Sequence, residues 1–381
     1  MNKSATNSTA LKSNNRSLLL GIIRKGNVSR AELSRATGLT KSAVTAITNK
    51  LINEGILYET GTSISVKGRR PILLDIVKNH KYAIGVLLHR DRVALSIIDL
   101  QCNLVDSIEK SIALFHNSDE ILDYICENID TLLAKTRIDF SKVLGIGISS
   151  PGPLNYISGK ILNPPNLDII NNLSVVDVLR EKYHLPIFLE NNAVLLGLTE
   201  YFYGVMSKYS NAMFVTLTHG IGSVIIENGS VYRGKGGYAG ELGHISVNID
   251  GELCPCGNHG CLELYASLEA LEKRFHFSQK NFDQIVNKAY AGDPESEKIL
   301  HYEARYLAVG IVNAVNLFDL DAVVLHGIIN YRPEILISEI RSIVNSNSFI
   351  SSAHKIDILS SSLGDDAQFV ACAASVLNNF F

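Results

Sequence analysis

Apolar residues at Leu18, Leu19, Ile22 and Ile23 recur at helical spacing and predict a first helix over Asn15 to Arg24. Ser29-Arg30-Ala31-Glu32 has the form of a capping box. It predicts a short second helix to about Thr37, with Ala31, Leu33 and Ala36 inward. Gly38-Leu39 supplies a tight turn, because glycine readily takes the left-handed conformation that ends a helix. Thr40 caps a third helix to about Glu54, with Val44, Ile47, Leu51 and Ile52 inward and Lys41, Ser42, Thr45, Thr48 and Asn49 outward. A strand begins at Gly55-Ile56-Leu57-Tyr58-Glu59, and a hairpin wing is expected to return through Val66, before Gly68-Arg69-Arg70-Pro71.

Beyond this the period changes. Tyr82 to Leu88 is an apolar run with a hairpin partner over Arg92 to Leu100. A helix follows over Glu120 to Ala134, then a buried strand from Val143 to Ile148 running into Ser149-Ser150-Pro151-Gly152-Pro153. Ile187 to Glu190 is another strand and Ala193 to Tyr203 another helix. Strands at Ala212 to Leu217 and Ser223 to Glu227 flank a glycine-containing turn. Strands alternating with helices predict an α/β body with polar ligand groups at strand ends.

Charge separates the two regions. Residues 1–78 carry 13 Lys/Arg against four Asp/Glu, and the remainder carries 22 against 34. A basic module on an acidic body points to a polyanion partner for the first part only. Helix, glycine turn and helix form the helix-turn-helix pattern, and the wing makes it winged. The expected partner is double-stranded operator DNA. Ser42, Thr45 and Asn49 are placed to read base edges and Lys41 to reach phosphate. Arg69 and Arg70, beside Gly and Pro, suit a narrow minor groove. The Ser-, Asn- and Thr-rich residues 1–12 are expected to be disordered. The absence of a long apolar run argues against a membrane span, and the broken apolar run at Leu18 to Leu20 does not read as a signal peptide; a cytoplasmic, reducing setting is expected.

Three of the six cysteines fall in Cys254-Pro255-Cys256-Gly257-Asn258-His259-Gly260-Cys261, ten residues after His244. One imidazole and three thiolates complete a tetrahedral shell for a structural Zn²⁺, with no position left open for water. Gly257 and Gly260 allow the loop to turn tightly enough for Cys254, Cys256 and Cys261 to converge with His244.

Gly240-Glu241-Leu242-Gly243-His244, the cysteine cluster ending in Leu262-Glu263, and Gly364-Asp365-Asp366-Ala367 together resemble the ROK family (repressors, open reading frames, kinases), in its repressor branch. The resemblance runs from about residue 10 to the C-terminus. It implies a two-lobed, ribonuclease-H-like body of the actin and hexokinase type behind an N-terminal winged helix-turn-helix. The implied boundaries are 1–78 for the arm and head, 79–190 and 191–363 for the lobes, and 364–381 for a last helix returning to the first lobe. It also implies an effector site for a sugar or sugar phosphate between the lobes, drawn from Asn166, Asn191, Asn192, Glu241, His244 and Glu263. Carboxylates accept from sugar hydroxyls, and amides both donate and accept.

Three departures from the family's kinases imply that the chain is not an enzyme and has no catalytic residues. Gly85-Val86-Leu87-Leu88-His89-Arg90-Asp91 lacks the kinases' Asp and Gly-Gly-Thr turn, with Leu87 or its neighbour in place of the Asp. Thr218-His219-Gly220-Ile221-Gly222-Ser223 is an eroded phosphate loop. Glu190-Asn191-Asn192 has an amide where the kinases have the catalytic Asp, and an amide cannot take up a hydroxyl proton. The expectation is a sugar-responsive repressor of carbohydrate genes acting as a homodimer or homotetramer. A sugar kinase with a fused DNA-binding head, and a repressor controlled by a protein partner, are the alternatives.

Overall fold

The computed structural model describes residues 8–24, 26–62, 71–164, 167–278, 281–347, 349, 354–364 and 366–380. The chain divides into two compact units, residues 1–192 with 366–381, and residues 193–365.

The first unit opens with the head. Helix α1 spans Ser8–Arg24. It starts before the expected Asn15 and inside the stretch expected to be disordered, because Ala10, Leu11 and Lys12 are good helix formers; residues 1–7 of that stretch lie outside the described residues. Strand β1 (Val28–Ser29), helix α2 (Arg30–Thr37) and helix α3 (Lys41–Asn53) follow. The capping box forms: Glu32 N–H donates to Ser29 Oγ at 3.3 Å and Ser29 N–H to Glu32 Oε2 at 2.8 Å. Gly38 ends α2 at φ 69°. Leu19, Leu20, Ile23, Leu33, Val44, Leu51, Leu74 and Ile76 are all buried.

Three details differ from the periodicity. Ala31 and Ala36 are exposed, leaving Leu33 as the buried residue of α2, since alanine methyls hold little apolar area. On α3 the buried stripe runs through Val44, Thr48 and Leu51, with Ile47 only half-buried. Thr48 tolerates burial because its hydroxyl donates to Thr45 O at 3.2 Å and accepts from Arg30 Nε at 3.1 Å. The wing strand β2 (Leu57–Thr62) pairs with β3 (Ile72–Ile76), Leu57 opposite Ile76 and Thr62 opposite Ile72. The return strand therefore follows Pro71, where Ile72 to Ile76 offers alternate apolar positions; Val66 lies outside the described residues.

The body of the first unit is a five-stranded sheet in the order β10-β7-β4-β5-β6. Its strands are β4 (Tyr82–Leu88), β5 (Arg92–Asp99), β6 (Leu104–Ser111), β7 (Val143–Ser150) and β10 (Ile187–Asn191). The small hairpin β8 (Leu154–Asn155) and β9 (Lys160–Ile161) lies between β7 and β10 in the chain. Strands β4, β7 and β10 are parallel, and β5 and β6 complete an antiparallel meander. Helices α4 (Ser118–Thr136) and α5 (Val175–Tyr183) contribute Ile121, Ile125, Ile129 and Leu179 to the core with Ile84, Val86, Ile146 and Ile148. The C-terminal helix, α12 (Ala367–Phe380), packs against β4 and β7. Glycine is required there: a Cβ at Gly147 would lie 1.9 Å from Cys372 O.

The second unit begins in helix α6 (Asn192–Tyr203), whose first residue closes the first unit. Asn191 and Asn192, expected to head the second lobe, instead belong to the first unit because Asn191 pairs with Ser150 in the sheet. The second sheet has the order β13-β12-β11-β14-β15. It comprises β11 (Asn211–Leu217), β12 (Ile221–Glu227), β13 (Ser230–Val231), β14 (Ala322–Gly327) and β15 (Asp357–Ser360). Helices α7 (Glu263–Ala266), α8 (Leu268–Phe275), α9 (Phe282–Tyr290), α10 (Pro294–Phe318) and α11 (Glu334–Ser346) surround one apolar core. Among the described residues no helix is long and apolar enough to cross a membrane.

Candidate functional sites

In the second unit, the ligand atoms of His244, Cys254, Cys256 and Cys261 all lie within 4.8 Å of one another. Cys254 Sγ is 3.7 Å from His244 Nδ1, and Cys256 Sγ is 3.6 Å from Cys261 Sγ. A tetrahedral zinc with Zn–S of about 2.3 Å needs sulfur–sulfur edges of about 3.8 Å, so the spacing fits. The loop is shaped locally. Gly257 takes φ 92° and Gly260 φ 60°, and a Cβ at Gly260 would sit 1.7 Å from Asn248 O. Cys254 N–H donates to Asn258 O at 2.8 Å, and Asn258 Nδ2 donates to His244 O at 3.1 Å, joining the cysteine loop to the histidine segment. Burial, with Cys256 and Cys254 alongside, pushes the Cys261 thiol up to about 12. A bound cation reverses that cost by favouring thiolates. The cluster can hold a metal ion.

Glu241 and Glu263 lie beside it. Glu241 keeps an exposed face, yet partial loss of water raises its carboxyl, opposed by His244 and reinforced by the charge of Glu263. Glu263 is half-buried at the start of α7, where its Oε2 accepts from Ile221 N–H at 2.8 Å. This bond closes the Thr218-to-Ser223 turn with a carboxylate: a Cβ at Gly220 would lie 2.4 Å from Glu263 Oε2.

In the first unit, Asn191 and Asn192 stand at the end of β10. Ser149 Oγ donates to Asn192 Oδ1 at 2.5 Å, and Asn191 N–H donates to the buried Glu190 Oε1 at 2.9 Å. Leu87 is buried in β4, and the turn after it is tied by His89 Nδ1 to Asp91 Oδ1 at 2.5 Å and by Arg92 Nη2 to Gln368 Oε1 at 2.7 Å. Asn166 lies outside the described residues.

On the head, Lys41, Ser42, Thr45 and Asn49 are exposed along α3. Thr45 Oγ1 donates to Lys41 O at 2.8 Å, and Ser42 Oγ shares a hydrogen bond with Thr40 Oγ1 at 3.1 Å. Thr48, expected on this face, is buried. Arg69 and Arg70 lie outside the described residues. Sequence reasoning passed over Arg30, which bonds to Asn49 at 3.0 Å. The available signal was a cation in the first turn of a helix, where the macrodipole disfavours it.

A winged helix-turn-helix joined to a hexokinase-type α/β body defines a class of sugar-linked DNA-binding regulators. The ROK family model matches residues 83–378, and a model described as winged helix-turn-helix DNA-binding matches residues 13–58. The chain belongs to the ROK family. It is 32% identical over 372 residues to the xylose repressor of Bacillus subtilis (strain 168), covering 97% of this chain and 96% of that protein. It is 30% identical over 338 residues to the DNA-binding transcriptional dual regulator NagC of Escherichia coli (strain K12), covering 84% and 82%. Among solved structures, a ROK family transcriptional regulator described as a homolog of the E. coli MLC protein superposes with a TM-score of 0.79 at 24% identity, covering 97% of each chain.

Proposed function

We propose that this chain is a sugar-responsive transcriptional repressor that binds its effector without phosphorylating it. The observation that carries this is the pairing, in one chain, of a winged head with an exposed polar face on α3 and a ROK body, over a span that is similar to the xylose repressor of B. subtilis. Two heads of a homodimer or homotetramer occupy the half-sites of a pseudo-palindromic operator in the cytoplasm. Lys41, Ser42, Thr45 and Asn49 meet the major groove, with Arg69 and Arg70 at the wing. His244, Cys254, Cys256 and Cys261 hold a structural zinc. The zinc orders the loop that carries Glu241, His244 and Glu263, which contact sugar hydroxyls; Asn191, Asn192 and Asn166 are further candidates for effector contact.

Asn192 supports binding without catalysis, since its amide accepts the Ser149 hydroxyl and cannot act as a general base. Xylose is the first effector to test, given the xylose repressor of B. subtilis, and N-acetylglucosamine is the second. The effector works through its differential affinity for two arrangements of the repressor; a 10- to 100-fold loss of operator affinity needs about 1.4–2.7 kcal/mol of coupling.

The test is a gel shift on DNA upstream of the chain's own gene and its neighbours, titrated with sugars and sugar phosphates in the absence of ATP. Release by one sugar supports the proposal. Binding that no sugar alters favours control by a protein partner, and ATP turnover on a sugar in a coupled assay would restore the kinase reading.

A further inference from the structure

Arg30 is the first residue of α2, at the helix end where the exposed N–H groups disfavour a cation. Its guanidinium is held by three side chains. Nε donates to Thr48 Oγ1 at 3.1 Å, Nη2 to Asn49 Oδ1 at 3.0 Å and Nη1 to Glu59 Oε1 at 2.9 Å. Thr48 and Asn49 belong to α3, and Glu59 belongs to the wing strand β2. One planar cation thus ties the outer edge of α3 to the wing.

The bond to Asn49 has a chemical consequence. Arginine carries donors only. The Asn49 atom that faces it must therefore be the carbonyl oxygen, which turns the NH₂ away from Arg30. An asparagine with both groups free reads adenine by donating to N7 and accepting from N6, whereas guanine presents acceptors only, at N7 and O6, and thymine one at O4. The oxygen keeps a second lone pair, but the Arg30 cation 3.0 Å from it repels a further N–H donor such as adenine N6, so the acceptor-only edges are favoured.

We propose that Arg30 sets operator specificity by fixing the Asn49 amide as a hydrogen-bond donor, so that Asn49 selects guanine or thymine over adenine at one position of each half-site. Arg30 is a positioning residue, acting through Asn49. The inference rests on Asn49 meeting a base edge, as proposed above.

The experiment selects bound sequences from a randomised duplex library with the full chain, comparing wild type, Asn49→Ala, Arg30→Ala and Arg30→Lys. Wild type is expected to prefer guanine or thymine over adenine at one position per half-site by about tenfold. Asn49→Ala flattens that position alone. Arg30→Ala swings the same position towards adenine, and Arg30→Lys does so too, because an ammonium cannot serve three partners in one plane. Circular dichroism melting of each variant checks that the head is folded, and Arg30→Lys remains informative if Arg30→Ala does not fold. An Arg30 variant that weakens all sequences equally, with an unchanged preference profile, overturns the proposal, as does a wild-type preference for adenine where Asn49 acts. If Asn49→Ala alters no position, the base contact itself is refuted and the inference falls with it. If no variant, wild type included, retains any duplex, the DNA-binding reading is what has failed.

Discussion

Glu303 sits in the middle of α10 with no exposed surface, and neither carboxyl oxygen has a hydrogen-bond partner among the described residues. Burial alone pushes its carboxyl up to about 8. In the unfolded chain an ordinary glutamate titrates near 4.3. Between these values the folded state keeps a proton that the unfolded state has released. Stability is therefore fully present below about pH 4 and is lost as pH rises, levelling off above about pH 8. At about 1.4 kcal/mol per pH unit, the loss between pH 5 and pH 8 is about 4 kcal/mol. Glu303→Gln keeps the shape and removes the proton. The variant should match wild type below about pH 4 and exceed it by about 5 kcal/mol at pH 8, an increase in melting temperature of roughly 10–20 °C for a unit of this size. The assay is urea and thermal unfolding at several pH values, followed by circular dichroism and by tyrosine fluorescence, since the chain has no tryptophan. Taking the difference between the two proteins at each pH cancels the other titrating groups. Parallel stability profiles for the two proteins would show that Glu303 is hydrated or paired in solution and would refute the reasoning.

Cys256→Ser should lower bound zinc from about one per chain to near zero, measured by mass spectrometry of the metal content, and should blunt the sugar response; an undiminished metal content removes this cluster as the zinc site. Glu241→Gln should shift the sugar dose response to higher concentration by about tenfold while leaving operator affinity without sugar unchanged, consistent with loss of one charged hydrogen bond; a normal dose response in the gel shift excludes Glu241 from the effector site. Gly147→Ala places a methyl 1.9 Å from Cys372 O and 2.2 Å from Ser375 Oγ, so α12 must lift from the sheet. The expected loss is about 1–3 kcal/mol or more, and an unaltered melting temperature would contradict the close packing.

The features legible in the chain are those formed between near neighbours. The capping box of Ser29 and Glu32, the Gly38 turn, the Thr40 cap and the convergence of Cys254, Cys256 and Cys261 all involve groups a few residues apart, so their spacing carries the geometry. The apolar strands β4 and β7 were readable because burial on both faces leaves an unbroken hydrophobic run. Strand β6 was missed because its side chains are half-buried or exposed, and Leu104 to Ser111 mixes charges with its apolar residues. The choice of Thr48 over Ile47 as the buried residue of α3 depends on Arg30, eighteen residues earlier, supplying the hydrogen bond that makes a buried hydroxyl tolerable. The orientation of the Asn49 amide depends on the same guanidinium. Gly147 reads as an ordinary strand glycine until α12, more than two hundred residues later, docks its backbone against it. Glu303 is a charged residue type in the middle of a long helix, and the helices packed around α10 remove its water. Local hydrogen bonds and hydrophobic period are properties of a segment, whereas burial, amide orientation and close backbone approach belong to pairs of segments that only the folded chain brings together.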